Sequence, residues 1–177
     1  MLSPATNPRL GRVQRYAIAL TLASSHLQLH RSAWLGQTWT AENVHFPVDS
    51  NNKSTLHGKP YVLANLAASG NSNAAAKDRS FSTLGIVLLE LCFGIRLEEH
   101  RLWQNPIYVA GRADPMIRQA IACEWADEVS EEAGGDYALA VNWTLKQAPA
   151  VLKDDKWRID FAQNVVQPLQ RCYESML

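Results

Sequence analysis

The segment Ser80-Phe-Ser-Thr-Leu-Gly-Ile-Val-Leu-Leu-Glu-Leu-Cys-Phe-Gly94 decides the fold class of this chain. Its residues are apolar on nearly every side of a helix, which is typical of a helix buried at the centre of a domain. Gly94 favours the end of such a helix, because glycine takes the left-handed conformation that follows a last helical turn at little steric cost. We therefore expect a central buried helix that begins near Asp78 or Ser80 and ends near Gly94.

Amphipathic helices are predicted on both sides of this segment. Apolar residues recur at helical spacing over residues 9–30, 114–133, 137–147 and 156–176. Gly134 and Gly135 separate the second of these stretches from the third, and Pro168 predicts a kink in the last one. The acidic stretch 127–132 is predicted to be a solvent-exposed helix face. The face of the first helix that we expect to be buried consists of Val13, Ala17, Leu20, Ala23, Ser24 and Leu27.

The rest of the chain predicts one domain with little β structure. Residues 43–46 and 61–63 are short β-tending pieces on either side of a turn-like stretch, so a short β-hairpin is expected between them. Residues 96–112 are expected to be a connection between helices. Residues 1–8 contain two prolines and are expected to be a flexible lead-in. The fold class that follows is mainly α, with a single domain over residues 9–177.

The composition argues against several classes of function. The 177 residues contain 17 Lys plus Arg and 17 Asp plus Glu, so no excess of positive charge favours nucleic acid or an anionic membrane. The longest apolar run, residues 84–95, is much shorter than the roughly 20 residues of a membrane-spanning helix. No signal-peptide pattern opens the chain, so a cytoplasmic protein is expected. The cysteines, Cys92, Cys123 and Cys172, are widely spaced and are expected to be buried thiols.

The segment 80–94 resembles the large central helix of the protein-kinase C-terminal lobe. That helix has the motif Asp-x-x-Ser-Phe/Leu-Gly-x-x-Leu-Leu-Glu-Leu, and its second half is present here as Leu84 to Leu91. The chain is also similar to a fungal group of kinase-like domains of unknown function, which often accompany helical domains of the prion-inhibition and propagation type. The segments that carry this similarity are residues 20–30, 34–35, 39–46, 60–61, 84–97, 127–129 and 132–134. The resemblance implies a kinase C-lobe-like helical domain in which the N-terminal lobe is absent.

The residues that a kinase needs for phosphoryl transfer do not align with suitable side chains. If the catalytic-loop asparagine of the family is aligned with Asn43, Thr38 takes the position of the catalytic aspartate and Thr40 takes that of the lysine. A threonine hydroxyl cannot accept a proton at neutral pH as a carboxylate can. Pro60 stands at the magnesium-binding aspartate and offers no side-chain oxygen. Ser80 replaces the aspartate that opens the central helix. We therefore expect no catalytic residue, no metal and no cofactor, and we expect that the protein is not an enzyme.

Three sets of residues have two interpretations each. Asn43 is the one candidate for cofactor binding, at a nucleotide, but a turn residue bonded to its own backbone is favoured. His26 and His30 have a spacing compatible with a metal, but a helix-end role for His30 is favoured. Trp34 and Trp39 could line a groove for a partner, but a place in the core is favoured, as it is for Trp125, Trp143 and Trp157.

These observations predict a catalytically inactive, kinase-like interaction or regulatory module with a protein partner. The resemblance implies a part in fungal signalling of the incompatibility type. One alternative is a residual nucleotide-binding protein or kinase with a rearranged site. Another is a truncated gene fragment without independent function, an alternative that the missing N-terminal lobe suggests.

Overall fold

The computed structural model describes residues 10–30, 44–45, 61–62, 79–109, 111, 114–146 and 156–177, and these are mostly helical. The prediction of a mainly α fold is confirmed. Short 3₁₀ segments lie at Leu97–Glu99, Arg101–Gln104 and Ala126–Glu128, and a π-helical turn lies at Ala162–Val166. The α-helices of the described residues are α1 (Arg12–Leu29), α2 (Arg79–Phe93), α3 (Pro106–Val109), α4 (Pro115–Trp125), α5 (Val129–Lys146), α6 (Trp157–Phe161) and α7 (Gln167–Glu174).

Two short strands pair between α1 and α2 in the sequence. They are β1 (Val44–His45) and β2 (Tyr61–Val62), and they run antiparallel with Val44 opposite Val62 and His45 opposite Tyr61. Both lie within the β-tending pieces named above. The connection between them, residues 46–60, lies outside the described residues, so the β-hairpin stays a prediction. The lead-in at residues 1–8 also lies outside them.

Helix α2 is the centre of the described core. It packs against α1, α4 and α5, and its buried side chains point to more than one side of the helix. It ends at Phe93, and Gly94 follows with a φ of 70°, a left-handed conformation that favours glycine. The predicted bounds and burial of this helix are confirmed. The buried apolar side chains that it contributes are Phe81, Leu84, Val87, Leu88, Leu89 and Cys92.

A glycine allows α2 and α5 to approach closely. A Cβ atom placed on Gly85 would lie 2.7 Å from Cδ2 of Leu145 and 2.8 Å from Oγ1 of Thr144. Distances this short do not occur between real side chains, so a residue with a Cβ at this position would force the two helices apart. Thr144 uses its hydroxyl within α5, where it donates to the carbonyl oxygens of Ala140 and Val141. Gly85 therefore sets the spacing between α2 and α5.

The buried face of α1 differs from the predicted one. Ala23 is fully buried as expected, but Val13 is 41% exposed. Leu20 and Leu27 are only partly buried against the core. The reason is that α1 is apolar over a wide arc, and the burial of Tyr16 and His26 selects a neighbouring stripe. The buried residues of α1 are Tyr16, Ile18, Ala19, Leu22, Ala23 and His26.

Residues 96–112 contain more structure than the expected connection. Within this stretch are 3₁₀ turns and the short helix α3, and Leu97, His100 and Leu102 are buried. Glu90 of α2 fixes the beginning of this stretch, because its Oε1 accepts a hydrogen bond of 3.0 Å from the backbone N–H of Leu97. The segment after α2 is thus folded back on the end of the helix that precedes it.

The predicted breaks in the last helices are found. Gly134 interrupts α5 with a φ of 83° and a ψ of 171°, so the helix bends there. Before Pro168, the backbone N–H of Gln167 donates to the carbonyl oxygen of Ala162, which is five residues back and closes a π-helical turn. Proline lacks an N–H and crowds the preceding turn, so a local break at this place is expected physically.

The acidic stretch 127–132 makes more contacts with the rest of the fold than a fully solvent-exposed face would. Asp127 and Glu131 are exposed, in agreement with a solvent-exposed face. Glu128, however, pairs with Arg101 at 2.5 Å, and Glu132 pairs with Arg12 of α1 at 2.6 Å. These ion pairs link the start of α5 to other parts of the fold. Both are largely open to solvent, so each stabilises the fold by less than about 1 kcal/mol.

Candidate functional site

A cluster of histidines and aromatic side chains lies where α1 ends and where α2 and α6 begin. Trp143, near the end of α5, completes it. We call this cluster the junction. It is the place in the described residues where imidazole and hydroxyl groups converge inside the core. Its members are His26, His30, Ser80, Phe81, Trp143, Trp157 and Phe161.

The rings of the junction are in mutual contact. The ring centroids of His26 and His30 lie 5.3 Å apart, because residues four apart in a helix lie on one face. His26 also lies 5.0 Å from Phe81 and 5.7 Å from Phe161, and its plane is nearly parallel to that of Phe161. His30 packs 4.7 Å from Phe81 and meets Trp157 edge to face at 4.6 Å. Each imidazole is thus in contact with the other and with two further aromatic rings.

Burial governs the chemistry of these histidines. The exposed fraction is 1% for His26 and 5% for His30. Burial, and secondarily the neighbouring His30, lowers the pKa of His26 from 6.5 to about 3. His26 is therefore neutral at physiological pH and cannot act as a general acid there. The expected helix-end position of His30 is found at the end of α1, but its side chain belongs to the core.

Ser80 joins the junction from the first turn of α2. Its Oγ lies 3.4 Å from Nδ1 of His30, within hydrogen-bond distance, and its exposed fraction is 5%. This is the residue that replaces the aspartate in the kinase motif. An aspartate here would place an ionisable carboxyl group beside the imidazole, whereas the serine places a neutral hydroxyl there. The motif comparison indicates the substitution at Ser80, but the sequence gives no sign that His30 lies beside it.

A second set of polar side chains lies near the other end of α2. Burial raises the pKa of the Glu90 carboxyl, which binds the backbone of Leu97 as described. Glu98 pairs with Arg118 of α4 at 2.7 Å, and the guanidinium of Arg118 lies 5.2 Å from the ring centroid of Trp103. These contacts fix the segment after α2 on α4. They stabilise the fold, and their side chains do not meet at one solvent-exposed site.

His100 forms a third, separate contact. Its ring stacks on Trp125 with centroids 4.5 Å apart, and its Nε2 lies 3.6 Å from Oε2 of Glu128. Burial lowers the pKa of His100, while the Glu128 carboxylate acts in the opposite direction. The Nδ1 of His100 and the Nε1 of Trp125 are buried with no hydrogen-bond partner among the described residues.

The described residues include all three cysteines and the pair of histidines considered for a metal. Cys92, Cys123 and Cys172 are free thiols, and all but the partly exposed Cys123 are buried. Across the described ranges, no group of three or more His, Cys, Asp or Glu side chains could hold a metal ion. His26 and His30 share a face as their spacing predicted, and aromatic rings of Phe81, Trp157 and Phe161 pack against them.

Most residues of the predicted kinase-like site lie outside the described part of the chain. These are Thr38, Thr40, Asn43 and Pro60, together with Trp34 and Trp39. Of the tryptophans predicted in the core, Trp125 and Trp157 are buried, and Trp143 is partly buried against the same core. The junction itself was not predicted as a site. The signal that could have indicated it is the pair of histidines on an otherwise apolar helix.

Comparison with known proteins gives one family. Neither the curated proteins nor the solved structures include a match to this chain. None of the helices in the described ranges has the length and apolar character needed to cross a membrane. A family model described as a domain of unknown function, DUF7580, matches residues 3–174, which is nearly the whole chain. The chain therefore belongs to the DUF7580 family of domains of unknown function.

Proposed function

We propose that this protein is a catalytically inactive, kinase-like module that acts by binding another protein. The observation that carries the proposal is the replacement of ionisable catalytic groups by neutral ones at Thr38, Thr40, Pro60 and Ser80. Phosphoryl transfer needs a base or an orienting carboxylate and carboxylate ligands for magnesium. None of these substitutes supplies a carboxylate. The resemblance adds a role in fungal signalling of the incompatibility type to the proposal, and we further propose that the protein acts in the cytoplasm.

The central helix supports the kinase-like part of the proposal. The segment that resembles the kinase motif, α2, is the most enclosed helix of the described core, as the resemblance implies. Two of its motif residues have structural roles. Gly85 allows the close approach of α5, and the Glu90 carboxyl accepts a hydrogen bond from the backbone N–H of Leu97. Retention of these contacts fits a fold that is selected for its shape.

The contact of Ser80 supports the inactive part. In the motif, an aspartate opens this helix, and here a buried serine lies beside His30. A serine hydroxyl cannot provide the negative charge that the aspartate of the motif provides. Ser80 therefore gives the junction a neutral hydroxyl where the motif has a carboxyl group. The pairing of β1 with β2 also places Val44, the residue after Asn43, opposite Val62, which is two residues after Pro60.

Nucleotide binding provides the first test. A thermal-shift titration with ATP and Mg²⁺ reports any ligand that binds the folded state, because such binding must raise stability by mass action. We expect no saturable change in Tm up to millimolar Mg–ATP, for the wild type and for Asn43→Ala alike. A saturable rise in Tm that Asn43→Ala removes would favour the alternative, a nucleotide-binding protein with a rearranged site.

Exposed apolar side chains provide the second test. Ile107 of α3 is 79% exposed and Met116 of α4 is 74% exposed. The two helices are linked by a hydrogen bond of 2.8 Å from the Tyr108 hydroxyl to Glu124. Single exposed apolar residues are common on soluble proteins, so these two serve as probes of a binding surface.

The experiment compares charged substitutions at matched positions. The partner is identified by cross-linking in cells, and its affinity for the purified protein is then measured. Ile107→Asp or Met116→Asp should weaken binding at least about tenfold if these side chains are anchors. Ile159→Asp, at a 59% exposed position on α6, is the control for added charge. If no partner cross-links reproducibly to the wild type, the proposed function fails.

A further inference from the structure

One side of the helical stretch 115–133 points away from the core. Helix α4 continues through the 3₁₀ turn Ala126–Glu128 into α5, and Gly134 makes the first break in this rod. Residues three or four positions apart therefore line up on one side of it. We call the side opposite the core the outer face, and all of its residues are exposed. They are Met116, Ala120, Glu124, Asp127 and Glu131.

The acidic residues of this part of the chain fall into two sets. Between Arg118 and Lys146 the sequence has six acidic residues and no Lys, Arg or His. Three of them form ion pairs with arginines elsewhere in the fold, and these are Glu128, Glu132 and Asp136. The three on the outer face form no ion pair with any described Lys, Arg or His side chain. The carboxylates of the outer face are thus the ones that the fold leaves without a positive partner.

The spacing of these three carboxylates indicates the charge of what binds there. Glu124 and Asp127 are three residues apart, and Asp127 and Glu131 are four apart, so like charges are neighbours along one line. Nucleic acid and an anionic membrane would be repelled by this surface. Among the described residues, no group of acidic side chains could hold a metal ion. A cationic segment of a protein fits this surface, because it would relieve the repulsion between the carboxylates.

Exposed apolar side chains accompany the carboxylates. Met116, which is 74% exposed, lies about two helical turns before Glu124 on the outer face. Glu124 accepts a hydrogen bond from the hydroxyl of Tyr108, and the residue next to Tyr108 in α3 is Ile107, which is 79% exposed. Burial of apolar anchors contributes affinity, whereas complementary charge contributes orientation and specificity. The combination is suited to an amphipathic segment.

We propose that the outer face binds a basic amphipathic helix of the partner protein, with Lys or Arg side chains opposite Glu124, Asp127 and Glu131 and an apolar side chain against Met116. The inference rests on the proposed function and adds the chemical class of the partner. Residues 116–131 span about 22 Å of helix, so a partner helix of about 16 residues covers them. Because both helices have the same period, cationic residues spaced three and four apart match the three carboxylates.

A synthetic peptide tests the outer face without knowledge of the partner. An alanine-based helical peptide of about 16 residues has a leucine at one end and, about two turns away, three lysines spaced three and four apart. A second peptide has the reverse order, and companion peptides have glutamate in place of lysine. Fluorescence anisotropy measures their binding to the full chain. We expect one lysine peptide to bind with a micromolar Kd at about 50 mM salt, and at least about tenfold more weakly at about 500 mM, and the glutamate peptides not to bind.

Two double variants with the same net charge locate the binding. Asp127→Asn with Glu131→Gln removes two carboxylates from the outer face, and Glu99→Gln with Glu174→Gln removes two exposed carboxylates elsewhere. The first should weaken binding of the peptide at least about fivefold at low salt, and the second less than about twofold. Neither Asp127 nor Glu131 has an ion pair to lose among the described residues, so far-UV circular dichroism should show an unchanged fold. Met116→Ala should weaken binding at both salt concentrations, because it removes apolar contact.

Either of two results with the peptides would overturn the inference. One is that no lysine peptide binds the wild type with a Kd below about 1 mM. The other is that the two double variants weaken binding equally, which would show attraction to the overall charge only. The partner found by cross-linking separates this inference from the proposed function. If that partner binds the wild type and Asp127→Asn with Glu131→Gln equally well, the inference fails and the proposed function stands.

Discussion

The hydroxyl of Tyr137 donates a hydrogen bond of 2.9 Å to the backbone carbonyl oxygen of Leu88, in the middle of the central helix α2. Tyr137 is fully buried, and burial raises its pKa well above 10. Its ring also packs 4.8 Å from that of Tyr16 on α1. A single side chain on α5 thus contacts both α1 and α2 and keeps its own polar atom satisfied inside the core.

Tyr137→Phe should destabilise the protein by about 1 kcal/mol, because it removes one buried hydrogen bond and keeps the ring. The measurement is urea unfolding followed by far-UV circular dichroism, with m unchanged. Tyr108→Phe removes a hydroxyl that binds Glu124 at the surface, and it should leave the midpoint unchanged within error. A loss of stability in Tyr108→Phe as large as that in Tyr137→Phe would contradict the role given to burial.

Gly85→Ala should destabilise the fold by roughly 1–3 kcal/mol, because the added methyl group would overpack the contact of α2 with α5. Gly135→Ala is the matched control in α5. No atom lies within 4 Å of the position that its Cβ would take, and its φ is not in the left-handed region. Alanine favours helix over glycine, so this variant should be neutral or more stable. Differential scanning calorimetry of the two variants gives the comparison, and equal values of Tm would refute the close approach.

The cysteines should differ in their reactivity. Burial raises the pKa of the Cys92 thiol to about 12, and its exposed fraction is zero. Cys123 is only partly buried, although its pKa is also raised by burial. Because the thiolate is the reactive form, iodoacetamide at pH 8 should label Cys123 first and Cys92 only on unfolding. Mass spectrometry of labelled peptides over time measures the order, and early labelling of Cys92 would show that α2 is not enclosed as described.

The sequence predicted the elements whose signals are local. The all-round apolar pattern of α2, the left-handed glycine after it and the proline of the last helix act within a few residues of their own positions. The buried face of α1 was not predictable in the same way. That helix has two adjacent stripes that could face the core, and the choice between them depends on contacts of Tyr16 and His26 with distant residues.

The junction could not be predicted for the same physical reason. Ser80 lies beside His30 across fifty residues, and Phe161 stacks on His26 from the far end of the chain. Each of these residues has an ordinary local interpretation, such as a substituted motif position or a helix end. Only the approach of these residues in the folded chain encloses the pair of imidazoles. The spacing of the histidines indicated a shared face, but it gave no information about what covers that face.

Glu128→Gln should make the stability of the protein more dependent on pH. Burial lowers the pKa of His100, and the Glu128 carboxylate at 3.6 Å partly offsets that effect. Without the carboxylate, the pKa of His100 in the folded state falls further below the value of 6.5 that it has in the unfolded chain. The unfolded state then binds more protons than the folded state over a wider range, so stability falls more as the pH drops below 6.5.

Urea unfolding of wild type and Glu128→Gln at pH 7.5 and 5.0 measures this difference. The loss of stability between the two pH values should be larger in the variant. Glu132→Gln is the matched control, because it removes the same charge from an ion pair with Arg12 that has no histidine in it. Since the exposed pair of Glu128 with Arg101 is lost at both pH values, its small effect cancels in the comparison. Equal pH dependence in the wild type and Glu128→Gln would show that Glu128 does not act on His100.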